Sequence, residues 1–213
     1  MRGQTPNRST GGARPHTTTL LSSGPVIRVI VISARLAALV TTGWALISRA
    51  DCVFATQTCR ATNLLSYFTI QSNIAFALLT TLLIIRAILR VRERAWLTTL
   101  RVIITSYLII SGATFAILME TAGLSDLPFL VPLSSRILHF VVPVYAIIDF
   151  LFLPGRLRLP LRVSLWTLVY PFAYAILTVV RGQALNWYPY VFFDPEWVGS
   201  YAGVVAYAAL LAG

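Results

Sequence analysis

The sequence predicts an all-α integral membrane protein, a six-transmembrane-helix bundle with both termini cytoplasmic. Three observations predict it. Of 213 residues 57% are apolar and only 11% charged, and the mean hydropathy of +0.78 lies outside the range of a soluble domain this long. The apolar residues gather into segments of membrane-spanning length. The arginines fall between these segments in alternating rich and poor loops.

Residues 1–24 are Thr, Ser, Gly, Pro and Arg with few large apolar side chains, so they cannot bury a core. They read as a disordered basic cytoplasmic tail ahead of a transmembrane domain over 25–213. The first span, 26–47, has full crossing length and leads straight into another, which fits a signal anchor better than a cleaved signal. Cys52 and Cys59 lie together in the loop that follows, where an oxidising exterior permits a disulfide, the alternative being two free thiols. The remaining spans are 64–85, 97–119, 136–153, 163–180 and 198–213. The last three are near the lower limit for a hydrocarbon core of about 30 Å at ~1.5 Å per residue. No internal repeat supports an inverted-repeat transporter.

Orientation follows from the 17 basic residues, all arginine. Arg2, Arg8, Arg14, Arg28 and Arg35 flank the first span on its N-terminal side. Arg86, Arg90, Arg92, Arg94 and Arg101 surround the second loop, and Arg156, Arg158 and Arg162 the fourth. The alternate loops hold only Arg49, Arg60, Arg136 and Arg181, together with most of the acidic residues. The positive-inside rule puts the richer set in the cytoplasm of a multi-pass protein of the cell membrane. Arginines that punctuate apolar segments are topology signals, so nucleic acid is not an expected partner. Two cysteines with no histidine nearby make no metal site, and no cofactor is expected.

Polar residues inside spans are the places to seek function, because an unpaired hydroxyl or amide in hydrocarbon costs roughly 2–7 kcal/mol. Thr69, Gln71, Ser72 and Asn73 interrupt the start of the second span. Ser66, Thr69, Ser72 and Asn73 share one helix face, and Gln71 points elsewhere. His139 interrupts the start of the fourth span, which begins on the same side of the membrane, so it lies at the depth of Thr69. Pro143, four positions on, cannot donate to the His139 carbonyl and bends the helix there. Glu120, Arg136, Arg181, Asn186 and Tyr188 reach the same layer. Asp149 lies deeper and reads as neutralised by Arg156, Arg158 or a basic group on a neighbouring helix. Trp187, Tyr188, Tyr190 and Trp197 read first as an interfacial aromatic belt and second as a substrate lid.

The strings Ser66-Tyr67-Phe68-Thr69-Ile70-Gln71-Ser72-Asn73, Leu138-His139-Phe140-Val141-Val142-Pro143 running to Asp149, Tyr170-Pro171 and Asn186-Trp187-Tyr188-Pro189-Tyr190 resemble the bacterial Pr6Pr family of membrane proteins over about residues 26–210. That pattern is in turn similar to the animal androgen-induced family. Its members are six-span hydrolases of fatty-acid esters of hydroxy fatty acids with an intramembrane threonine and a histidine. The resemblance implies Thr69 and His139 as the catalytic pair, with membrane lipids around the chain and a fatty-acid ester as substrate.

Two readings follow. In the first, a threonine hydroxyl activated by a neutral histidine attacks a lipid ester near the outer leaflet. Asn73 is the candidate oxyanion donor, Arg181 the candidate partner of a fatty-acid carboxylate, and Tyr188 a third substrate-binding candidate. In the second, the protein is not an enzyme: the polar cluster glues helices or binds a lipid or small solute.

Overall fold

The computed structural model describes residues 24–54, 61–91, 94–121, 131–154, 157 and 159–212. Within them all regular secondary structure is helical, with no strand. Helix α1 runs Pro25–Phe54, the single turn α2 Ala61–Leu64, α3 Phe68–Ile88 and α4 Ala95–Thr121. The short α5 (Leu133–Arg136) continues through a π-helical turn at Ile137–Val141 into α6 (Val142–Phe152). Helix α7 spans Val163–Leu185, a 3₁₀ turn lies at Val191–Phe193, and α8 spans Tyr201–Ala212.

Five helical segments among the described residues are long and apolar enough to cross a membrane: Pro25–Asp51, Phe68–Ile88, Ala95–Thr121, Leu133–Phe152 and Val163–Leu185. They correspond to the first five expected spans. The sixth segment forms a helix of 12 residues, α8, which at ~1.5 Å per residue is about 18 Å long and shorter than a hydrocarbon core. The tail, Cys59 and the side chain of Cys52, and Arg156 and Arg158 lie outside the described residues, and the expectations placed on them lie there too.

The middle of the bundle is α4, which packs against α3, α6, the π turn, α7 and α8, while α1 lies along α3. Helical periodicity accounts for these contacts. On α3 the buried positions Thr69, Ser72, Asn73, Phe76, Leu79, Thr80, Leu83 and Ala87 recur every three or four residues, and on α4 Leu97, Arg101, Ile104, Leu108, Ser111 and Gly112 do the same. Phe76, Leu79, Leu83, Leu97, Ile104, Leu108, Val142 and Ala146 form the main apolar core. Helix α7 buries only the stripe Tyr174, Thr178 and Gly182. Leu165, Trp166, Val169, Ile176, Leu177 and Val180 face outward from it, an apolar exterior suited to lipid and not to water.

Two arginines assigned to loop flanks are interior residues instead. Arg35 and Arg101 are buried at 0% and 1% exposure and both pair with Asp149, Arg35 Nε at 2.8 Å from Oδ1 and Arg101 Nη2 at 2.8 Å from Oδ2. Arg101 also donates to the Asp149 main-chain carbonyl at 2.9 Å. Asp149 is therefore held by basic groups on α1 and α4, the neighbouring-helix alternative of the sequence reading. Charge in a low-dielectric interior persists only when paired in this way.

Candidate functional site

The site is built where α3 begins. Tyr67, with extended backbone (φ −81°, ψ 126°), precedes the helix, which makes Thr69 its second residue. Just before the helix, the Ser66 carbonyl accepts from the Tyr174 hydroxyl at 2.7 Å, which pins this corner to α7. Thr69 is 5% exposed, its side chain turned into the bundle.

Opposite stands His139, in the middle of the π turn. Pro143 has no N–H for the His139 carbonyl, and the local ladder widens so that Val142 N–H bonds Ile137 O, five residues back. The expected bend is thus expressed as a π turn, a feature often found at functional sites. Gly112 of α4 faces this irregularity so closely that a Cβ there would lie 2.5 Å from the His139 carbonyl oxygen and 3.5 Å from Pro143 Cγ. Small residues at such a crossing let two helix backbones approach.

Thr69 Oγ1 lies 3.0 Å from His139 Nε2. The other ring nitrogen, Nδ1, is 2.8 Å from the Ser135 carbonyl oxygen, one turn back. A carbonyl only accepts, so Nδ1 carries the proton, and in the neutral ring Nε2 offers its lone pair to the Thr69 hydroxyl. The imidazole face stacks on Phe115 at 3.8 Å between centroids, with planes 17° apart. The ring is fixed by a hydrogen bond at each nitrogen and one flat contact.

The Thr69 oxygen has two further neighbours. Ser111 Oγ is 2.7 Å away and Tyr190 Oη 3.4 Å. With the Thr69 proton directed at His139, both of these hydroxyls donate to Oγ1. The Thr69 backbone N–H in turn points at Tyr190 Oη, 3.5 Å away. Burial pushes the Tyr190 phenol above its ordinary value, which keeps it a donor. Tyr190 stacks on Phe192 at 5.2 Å and meets Tyr67 edge-on at 5.8 Å.

This cluster closes one side of a cavity of about 90 Å³ between α4, α7 and α8. Thr69, Ser111, His139 and Tyr190 are its polar corner. The remaining wall is dominated by Ile110, Phe115, Leu118, Phe172, Phe192 and Phe193. Among the described residues no charged side chain lines it.

The other sequence candidates fall elsewhere. Asn73 is fully buried, but its amide group donates to Thr69 O at 2.8 Å and Leu138 O at 3.3 Å, so it ties α3 to the π turn. It does not line the cavity, and its donors are committed; the oxyanion role expected of it is not the one its geometry serves. Arg181 donates to Ser66 Oγ and lies 5.7 Å over the Trp187 ring, outside the cavity wall. Tyr188 packs its ring over Gly182, also outside the cavity. Gln71 faces α7, accepting from Tyr170 Oη.

Ser111, Phe115 and Tyr190 were not singled out as site residues. Ser111-Gly112 in mid-span was the available signal, because a pair of small residues marks close helix approach. Tyr190 sits in a loop read as an aromatic belt, and nothing in its spacing announced an inward side chain. Comparison of the chain with family models, with curated proteins and with solved structures gives no match.

Proposed function

We propose that the chain is a multi-pass hydrolase of lipid esters, working near the outer leaflet of the cell membrane, with Thr69 as nucleophile and His139 as general base. The observation that carries this reading is the 3.0 Å approach of Thr69 Oγ1 to an imidazole nitrogen whose partner nitrogen is bound to a carbonyl. A nucleophile, a base and a group orienting the base are the elements of activated-hydroxyl catalysis. The apolar wall fits a hydrocarbon chain, and the resemblance to the androgen-induced family points the same way.

Thr69 Oγ1 bonds to the ester carbon while its proton passes to His139 Nε2. The tetrahedral intermediate expels the alkoxide, which takes that proton as the carbon–oxygen bond breaks. Water then attacks the acyl carbon as its proton passes to the same nitrogen, and the bond from that carbon to Thr69 Oγ1 breaks as Oγ1 takes the proton back, which releases the carboxylic acid and restores the threonine.

A second reading is supported by the hydroxyl network itself. Ser111, Tyr190 and His139 satisfy Thr69 without any ligand and link α3, α4 and the π turn, as helix glue would. In that reading the cavity holds a lipid or small solute and no bond is broken. Labelling of the purified protein with a fluorophosphonate probe separates the two. A stoichiometric adduct that Thr69→Ala and His139→Ala both abolish is the expected result. Absence of labelling in a folded wild type leaves the non-enzymatic reading.

A further inference from the structure

An ester attacked by Thr69 develops negative charge on its carbonyl oxygen, and that charge needs donors in a cavity whose wall is largely apolar; of its other hydroxyl-bearing residues, Thr114 and Tyr174, the second is committed to the Ser66 carbonyl. Asn73 does not supply the donors, since its amide is held by the carbonyls of Thr69 and Leu138 and it does not line the cavity. Two other donors meet beside the nucleophile. One is the backbone N–H of Thr69, which lies in the first turn of the 21-residue α3, where no carbonyl one turn back is available to it. The partial positive charge of a helix N-terminus reinforces it. The other is the Tyr190 hydroxyl, 3.5 Å from that nitrogen and 3.4 Å from Oγ1. Tyr190 lines the cavity, so its hydroxyl can turn from Oγ1 to an oxygen inside it.

We propose that the Tyr190 hydroxyl and the Thr69 backbone N–H together form the oxyanion hole of the threonine site. The inference rests on the hydrolase reading and deepens it. In the resting site Tyr190 donates to Oγ1 and receives the N–H, so the two donor atoms lie 3.5 Å apart, close enough to share one acceptor oxygen. When Oγ1 bonds to the ester carbon, the carbonyl π pair moves onto oxygen. That oxygen takes the N–H and the phenol O–H, and both donors are released again as the carbonyl re-forms. The phenol keeps its proton throughout.

The loop between α7 and α8 acquires a role from this. Phe192 and Phe193, both buried, seat it against α3, α4 and α7, and the seating delivers Tyr190 to Thr69. The aromatic segment supplies half of the transition-state contacts from outside the spanning helices.

The test is steady-state hydrolysis of p-nitrophenyl butyrate by the detergent-purified full chain, with Thr69→Ala defining the background. Tyr190→Phe keeps the ring that stacks on Phe192 and removes only the hydroxyl. The expected result is a melting temperature lowered by no more than a few degrees, since the buried Thr69 N–H loses its partner, KM within about twofold, and kcat lower by about 100-fold, the scale on which a lost oxyanion donor acts. A trifluoromethyl ketone, whose adduct carries the oxyanion, is expected to lose affinity by a similar factor. A Tyr190→Phe enzyme with kcat within about threefold of wild type overturns Tyr190 as a donor and leaves the hydrolase reading standing. A wild type with no hydrolysis above Thr69→Ala overturns both. A second measurement needs no variant. The thionoester analogue places sulfur, a poor hydrogen-bond acceptor, where the oxyanion forms, and is expected to react far more slowly than the ester. Equal rates overturn the proposal.

Discussion

Gly112 shows how narrowly the site is set at the scale of one residue. Its missing side chain lets α4 lie against the His139 carbonyl, and a methyl group there would meet that oxygen at 2.5 Å. Main chain cannot retreat as the end of a side chain can, so Gly112→Ala is expected to push the π turn away from α4. The cost is about 1–3 kcal/mol of stability, typical of overpacking. Because the push acts on His139 itself, fluorophosphonate labelling should fall much further than the melting temperature, and equal small effects on both would show that the contact is not critical. The Thr69–His139 pair was legible in the sequence because depth along a helix follows from counting residues from its start. Rotation does not follow from counting. The turn of α4 that brings Ser111 to 2.7 Å from Thr69, and the inward set of Tyr190, depend on packing partners that a linear pattern does not identify. Asn73 was placed on the correct face of α3, yet its amide is engaged by backbone carbonyls, and no spacing rule reports which partner a buried amide selects.

Between elements, the strongest polar joint is the Arg35–Asp149–Arg101 triad, which ties α1, α6 and α4 near the end of the bundle away from Thr69. Both carboxylate oxygens are bound, and the Asp149 main chain is bound as well. Asp149→Asn removes the only negative charge of this cluster and leaves two guanidinium groups close together in a buried place. Breaking a buried ion pair in this manner costs about 3–5 kcal/mol. The expected outcome is a large drop in thermal stability in detergent; a melting temperature within a degree or two of wild type would mean that the triad carries little of the helix packing. The sequence signalled the need for a partner at Asp149, since an intramembrane carboxylate is rarely alone. It did not identify Arg35 and Arg101, because an arginine ten residues into α1 or six into α4 has the same one-letter appearance as a loop signal. Only the buried positions of the two side chains separate the meanings.

Across the whole molecule, helix composition made the spans readable while their sidedness rests on charge alone. The ends of the bundle are distinguished by contacts: the loop carrying Tyr190 meets the start of α3, and Leu157 N–H donates to Thr98 Oγ1 at the start of α4, 3.2 Å away. Removing Arg35 and Arg101 from the loop inventory leaves eleven of the thirteen arginines of the richer set, against four in the other, so the direction of the bias survives the correction. On this bias the positive-inside rule predicts the α3–α4 loop in the cytoplasm and the site at the outer face. Single cysteines at positions 90 and 196, in a chain with Cys52 and Cys59 changed to serine, test this in intact cells. Arg90 follows α3 and Glu196 lies in the α7–α8 loop, both exposed. A membrane-impermeant maleimide is expected to label position 196 directly and position 90 only after permeabilisation. The reverse pattern would invert the molecule, move Thr69 and His139 to the cytoplasmic leaflet, and require the substrate to arrive from that side. Labelling of both positions in intact cells would mean that the segments between them cross the membrane an even number of times. That would contradict three crossings by α4, the α5–α6 segment and α7, which place the two loops on opposite sides.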